Sequence, residues 1–189
     1  MAWDDQAHRN VALITEHYLT PEAKAKVGAL LSSDSAAGKT YNIADAATWA
    51  DKQLAIHPEY SQWHFAHIRA NQPNIPEACF GQPSLPIGTP ASQGPAKACV
   101  IDKIHQFWTE FTDPRTEAVE RQLALKYLLH LVGDVHQPLR VADQGNEHGK
   151  KLNVVALSPR DPSGGHSQFL ITPGSLFGYW DSAIVRGLG

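Results

Sequence analysis

His130 and Asp134 stand four residues apart in the stretch LKYLLHLVGDVHQPLR, residues 125–140. On a helix that spacing sends both side chains out of one face, one turn from each other. An imidazole and a carboxylate so placed can share a metal ion, while Leu128, Leu129, Leu131 and Val132 bury the rest of the helix. A core histidine beside a solvated aspartate has the same spacing. Three more residues of ligating type lie in distinctive surroundings: His8 shortly after Trp3, Asp51 at the end of ATWAD, and His64 in WHFAH. Each alone is weak evidence. Together, in this order and these contexts, they point to a metal centre made of imidazole and carboxylate donors.

Helices must position these groups. Over residues 3–18, Ala7, Val11, Ala12, Ile14 and Leu19 fall near one face, and Asp4 and Asp5 suit a first helical turn. Thr20-Pro21-Glu22 restarts the chain as a helix, with Thr as N-cap and Pro at the first helical position. That helix runs to about residue 31 and turns Ala23, Val27, Leu30 and Leu31 inward. After a polar loop over residues 32–40, a third helix is expected over residues 43–56, ending before Pro58. Residues 63–69 form a short extended or helical piece. Residues 71–95 then make a long irregular excursion through Pro73, Pro76, Pro83, Pro86, Pro90 and Pro95. A fourth helix is expected over residues 97–111, and the fifth and longest, amphipathic, from residue 116 to about residue 135. Residues 152–156 and 168–171 pair as a small hairpin across the Pro/Gly turn at 161–165, and residues 176–185 make a last short helix. The class is mainly α, a single helical domain over residues 1–189. Trp49, Trp63, Trp108 and Trp180 are assigned to its core, and Glu117, Glu120 and Arg121 to a solvated face of the long helix.

A net charge of −3 gives no general pull toward nucleic acid or anionic membrane, so any phosphate binding must be local. Lys150-Lys151 could touch a nucleic-acid backbone, although two loop lysines are commonplace. No run of about 18 apolar residues exists to span a membrane. Cys79 and Cys99 both lie in the Pro/Gly-rich middle. Joined, they would close a loop, add about 3 kcal/mol and place the chain outside the reducing cytosol; two unrelated thiols are the alternative. No signal peptide is visible, and Met1-Ala2 read as the replacement of one, with Trp3 as the mature start.

These motifs resemble those of the zinc-dependent single-strand nuclease branch of the phospholipase C/nuclease superfamily. The matching stretches are Trp3, His8 and Val11 onward to Leu31, ATWAD (47–51), HF (64–65), Cys79, Cys99-Val100, LKYLLHLVGDVHQPL (125–139) and YWDS (179–182). The resemblance implies a mostly helical fold of the phospholipase C/nuclease type, with zinc ions at the bottom of a cleft. One zinc would be held by Asp51, His64, His130 and Asp134. A second, close by, would be held by His8, the bridging carboxylate of Asp134, and the terminal amine and carbonyl of Trp3, which requires that the chain begin at Trp3. The third zinc site of the family is degraded here. Arg140 and Phe177 stand where histidine ligands would, and of its three ligands only Asp181 is kept; neither a cation nor a phenyl ring can ligate zinc. His148 and His166 are close enough in sequence to substitute. His136 is a candidate second layer behind the ligands, and His67 replaces a residue that is often Asp or Asn. The chain also stops at Gly189, before the further helices of the family, as a fragment or a short lineage would.

The implied activity is hydrolysis of single-stranded DNA or RNA to 5′-phosphate products, with 3′-nucleotidase activity as an extension, by a monomer that is secreted or periplasmic and has no stable membrane association. Asp51 and Asp134 would be central to catalysis. Arg140 would partly replace the third zinc as a bidentate clamp on the phosphate. Two other readings compete: a weakened or inactive relative kept for binding or structure, and a phospholipase C-like enzyme on lipid phosphodiesters.

Overall fold

The computed structural model describes residues 3–32, 40–159 and 169–184. Its described part is mainly helical. Helix α1 (Asp5–Tyr18) starts at an Asp4 cap whose carboxylate accepts from the Ala7 amide. Helix α2 (Pro21–Ser32) starts where expected, with the Thr20 hydroxyl accepting from the Ala23 amide. The expected third helix is two short ones, α3 (Ile43–Ala46) and α4 (Trp49–Gln53). They break at Thr48, whose hydroxyl turns back to donate to the Asp45 carbonyl. A 3-10 segment (Pro58–His64) leads into an extended stretch that pairs with residues 140–143, through Ala66 N–H to Arg140 O and Ile68 N–H to Val141 O.

The proline-rich excursion contains one short α-helix, α5 (Ile75–Ala78), and a 3-10 turn (Ala91–Gln93). It is tied down by the Cys79–Cys99 disulfide and by the Trp63 indole, which donates to Pro95 O at 3.0 Å. It is also held by the buried Lys103 ammonium, which donates to Ala91 O, Gly94 O and Gln106 Oε1 and lies 3.9 Å from the Trp63 ring centre. Helix α6 (Val100–Thr112) begins three residues later than expected, because Cys99 and Asp102 form a reciprocal cap at that point.

Helix α7 (Ala118–His136) lies between two apolar clusters. On one side Trp63, Val100, Phe107, Tyr127 and Leu131 pack around the disulfide, with Phe107 and Tyr127 stacked at 4.4 Å. On the other, Leu125 and Leu129 meet Ala12, Leu31, Ile43, Ala46 and Ala47. The helix is therefore buried on more than one face, where the sequence suggested an amphipathic one. Helix α8 (Pro138–Val141) follows directly. Strands β1 (Asn153–Pro159) and β2 (Phe169–Ser175) pair antiparallel, with Asn153 opposite Ser175; the expected turn between them lies outside the described residues. Helix α9 (Leu176–Gly178) runs on as a wider π turn, Tyr179–Ala183.

Two surface assignments change. Trp108 and Trp180 are 58% and 37% exposed, so only Trp63 is fully core. Glu120 accepts from Ser92 Oγ at 2.7 Å, and Arg121 donates to the carbonyls of Asp113 and Thr116. That part of α7 anchors loops and is not a purely solvated face.

Candidate metal centre

The buried middle of α7 carries His130 and Asp134, both fully out of solvent. His130 is aimed by its Nδ1–H, which donates to Ala47 O at 2.7 Å across the break between α3 and α4. That hydrogen bond leaves Nε2 pointing at the other candidates, the arrangement usual for a ligating imidazole. His64, at the end of the 3-10 segment, brings Nδ1 to 2.8 Å from Asp134 Oδ2 and 3.1 Å from His130 Nε2. Asp51, on α4, places Oδ1 3.5 Å from His130 Nε2 and 3.8 Å from His64 Nδ1. Asp134 Oδ2 is 3.3 Å from His130 Nε2. Bond lengths of about 2.0–2.1 Å in a tetrahedral zinc site imply ligand-to-ligand separations of about 3.4 Å. Asp51, His64 and His130 thus already sit near the spacing a single small cation requires, with Asp134 Oδ2 beside both imidazoles.

His8 reaches the same place from α1. Its ring stacks on His130 at 3.8 Å between centroids, and its Nε2 lies 3.6 Å from Asp134 Oδ1. It can do so because residue 133 is glycine: a Cβ there would come within 2.8 Å of His8 Nδ1. Among the described residues, neither ring nitrogen of His8 nor Asp134 Oδ1 has a hydrogen-bond partner, although all three are buried. Orphaned lone pairs converging from two residues fit a second cation on the other oxygen of Asp134. Trp3 precedes Asp4, whose amide donates to the Asp181 carbonyl at 2.9 Å, so the chain start is tied to the Asp181 side of the site.

Electrostatics suits ligation at His8 and His64, whereas His130 must first lose a proton. Burial, helped by the neighbouring His130, lowers His8 to about 3, and burial also lowers His64, so both rings are neutral and able to ligate. Burial would lower His130 too, but Asp134 and Asp51 outweigh it and raise the ring well above the ordinary value. Asp134 is held well below the usual carboxylate range: its burial is overcome by His130, Arg140 and His64.

The third expected site has a different occupant. Arg140, on α8, is 1% exposed, and its guanidinium carbon lies 4.3 Å from the Phe65 ring centre and 5.0 Å from that of Phe177. Its Nε is 3.8 Å from Asp134 Oδ1 and its Nη2 3.6 Å from Asp181 Oδ1, while Gln137 Nε2 donates to the same Asp181 oxygen at 3.4 Å. Burial raises Asp181 to about 6, against the lowering effect of Arg140. Arginine charge and phenyl faces fill this corner, where the sequence already places Arg140 and Phe177 in the positions of the family's histidine ligands.

The structure brings together Asp51, His64, His130, Asp134 and His8, and places Arg140 and Asp181 beside them. His136 does not belong to this group: it is exposed and bonded to Val132 O within its own helix. His148 has other partners among the described residues. It lies across Phe65, ring centroids 4.8 Å apart, and pairs with His67. His166 lies outside the described residues. Sequence reasoning missed Gly133, whose position inside an apolar helix was a usable signal, and Phe65, whose ring touches both Arg140 and His148.

A family model described as S1/P1 Nuclease matches residues 3–187. The chain is 27% identical over 155 residues to Nuclease P1 of Penicillium citrinum, covering 81% of this chain and 52% of that protein. It is 29% identical over 149 residues to Nuclease S1 of Aspergillus oryzae, covering 78% and 46%. It is 26% identical over 189 residues to Endonuclease 2 of Arabidopsis thaliana, covering 97% and 56%. The chain spans about half the length of the curated relatives it matches. With a family match across nearly its whole length and a buried His/Asp centre under it, the chain belongs to the S1/P1 nuclease family.

Proposed function

We propose that this chain is a single-domain, monomeric zinc phosphodiesterase that cleaves single-stranded DNA or RNA to 5′-phosphate products, with 3′-nucleotidase activity on the same centre. The observation that carries this reading is the geometry around Asp134. One oxygen sits beside His64 and His130, which also face Asp51, and the other has no hydrogen-bond partner and faces His8 and Arg140. Asp51, His64, His130 and Asp134 would hold one zinc; His8, Asp134 and the backbone of a chain beginning at Trp3 would hold a second. Zinc bound there supplies a hydroxide at neutral pH and neutralises phosphate charge. Asp134 orients both sets of ligands, and the buried Ala47 carbonyl fixes the imidazole of His130. Arg140 would add a positive charge beside Asp134 and Asp181; being buried against Phe65 and Phe177, it would act through the field at the centre and not as an exposed bidentate clamp. The Cys79–Cys99 disulfide supports a secreted or periplasmic location, and no described helix is long and apolar enough to cross a membrane.

The test is cleavage of single-stranded against duplex DNA by zinc-loaded protein starting at Trp3, compared with Asp134→Asn and His130→Ala. The expected result is preference for the single strand and a loss of about a hundredfold or more in either variant. A second reading, a weakened relative kept for binding, is favoured by Arg140 and Phe177 in the third-site corner. Zinc-loaded protein no more active than its His130→Ala variant would establish that reading. Nothing among the described residues favours action on lipid phosphodiesters.

A further inference from the structure

We propose that His67, Asp143 and His148 form an additional binding site for a zinc-class divalent cation, separate from the centre around Asp134. Their donor atoms converge outside that centre. His148 Nε2 lies 3.1 Å from His67 Nδ1, and His67 Nδ1 lies 3.5 Å from Asp143 Oδ2. These are again the separations of ligands sharing one small ion.

The hydrogen bonds behind each donor point the same way. His148 Nδ1 is 2.7 Å from Leu139 O, which can only accept, so that nitrogen carries the proton and Nε2 presents its lone pair. His67 Nε2 is 3.1 Å from Gln62 Oε1, which assigns its proton in the same way and turns the Nδ1 lone pair inward. Two imidazole lone pairs then face each other beside a carboxylate oxygen, an arrangement a cation relieves. Asp143 divides its work: Oδ1 accepts from the amides of Gly145 and His148, and Oδ2 is turned to His67. The loop holds Glu147 and His148 at φ of 54° and 58°, a left-handed conformation unusual for residues with side chains. Its backbone is thereby bent to deliver His148 into a buried position, 5% exposed.

Phe65 is a neighbour of both sites. His64 ends the 3-10 segment, and His67 lies on the extended stretch that follows it. The Phe65 ring touches the Arg140 guanidinium, at 4.3 Å, and the His148 ring, at 4.8 Å. Three protein ligands leave a fourth position open. His67 and Asp143 also line a cavity of about 340 Å³ with Arg69, Asn74, Glu77 and Phe80. Water or an anion could enter from there to complete the coordination.

The rival arrangement is a hydrogen-bonded chain without metal, with the Gln62 amide reversed and His67 donating to His148. Zinc titration of the metal-free protein against a chromophoric chelator separates the two. The intact chain is expected to bind one more equivalent than His67→Ala or Asp143→Asn; the asparagine keeps an oxygen for the Gly145 and His148 amides, and so keeps the loop. His130→Ala is expected to lose zinc from the Asp134 centre and retain this equivalent, which separates failure here from failure of the proposed function. Equal stoichiometry in the intact chain, His67→Ala and Asp143→Asn overturns the proposal. Anomalous scattering from zinc-loaded crystals of the unmodified chain decides independently of any variant. A peak within bonding distance of His67 Nδ1, Asp143 Oδ2 and His148 Nε2 is expected, and its absence when the Asp134 centre is filled is equally fatal.

Discussion

His130 carries a proton that a metal must displace. In the metal-free chain Asp134 and Asp51 raise its imidazole to about 10, against the effect of burial. At neutral pH it is therefore an imidazolium, and zinc needs the neutral ring. Zinc uptake at pH 7 should release about one proton at this residue, and affinity should rise with pH until His130 is free of its proton. Calorimetry in buffers of different ionisation enthalpy measures this; a buffer-independent heat would show that the ring was neutral from the start. The sign for folding is the reverse. A folded value above the usual 6.5 stabilises the metal-free chain below about pH 6.5, and that contribution is lost as pH rises through about 10. How far such residues can be read from sequence depends on what places them. His130 and Asp134 are legible because helix geometry alone puts them on one face. His8, Asp51 and His64 have no local spacing to link them, and their grouping rests on family motifs. The His67, Asp143 and His148 group was not legible: no period connects an extended strand to two bends of a loop. Nor could the sequence tell that Arg140 would be buried against two phenyl rings.

The helix α7 depends on one glycine. Glycine inside a helix costs about 1 kcal/mol relative to alanine, so Gly133→Ala would ordinarily stabilise. Here the added Cβ would meet His8 Nδ1 at 2.8 Å, and the His8 ring is itself stacked on His130. There is no room on that side, because α1 is packed against the long helix and Ala7 and Ala12 are buried. The variant should therefore lose about 1–3 kcal/mol, the usual cost of overpacking, and should weaken metal binding at His8 more than at His64. Thermal unfolding and zinc stoichiometry check both parts; a more stable Gly133→Ala with full metal content would show that α1 can move aside. The break between α3 and α4 escaped the sequence reading for a related reason. Ala46, Ala47, Trp49 and Ala50 all favour continued helix, but a tertiary demand is met at the break, where the Ala47 carbonyl receives His130 Nδ1–H. Helix propensity is a weak prior beside such a bond.

At the scale of the whole molecule, the proline-rich excursion is the segment least able to hold itself, and two devices of different kinds bind it to the core. The Cys79–Cys99 disulfide closes a separation of 20 residues and acts mainly by restricting the unfolded chain, worth about 3 kcal/mol. Lys103 acts in the folded state: its ammonium satisfies the carbonyls of Ala91 and Gly94 and lies over the rings of Trp63 and Phe107. Lys103→Met would keep the stem and leave two buried carbonyls without their donor, a cost of about 2–4 kcal/mol. Because one device works on the unfolded ensemble and the other on native contacts, their losses should add in the variant that lacks both. The consequences for the metal centre should differ. Lys103 packs on Trp63, which is followed directly by His64, so its loss should loosen His64 and lower zinc affinity. Replacing both cysteines with alanine should lower denaturant stability while leaving zinc affinity nearly unchanged. Denaturant unfolding of the four chains, with a zinc titration of each, tests the whole argument. A cysteine-free chain that loses zinc as readily as Lys103→Met would mean that the disulfide also holds the native position of His64.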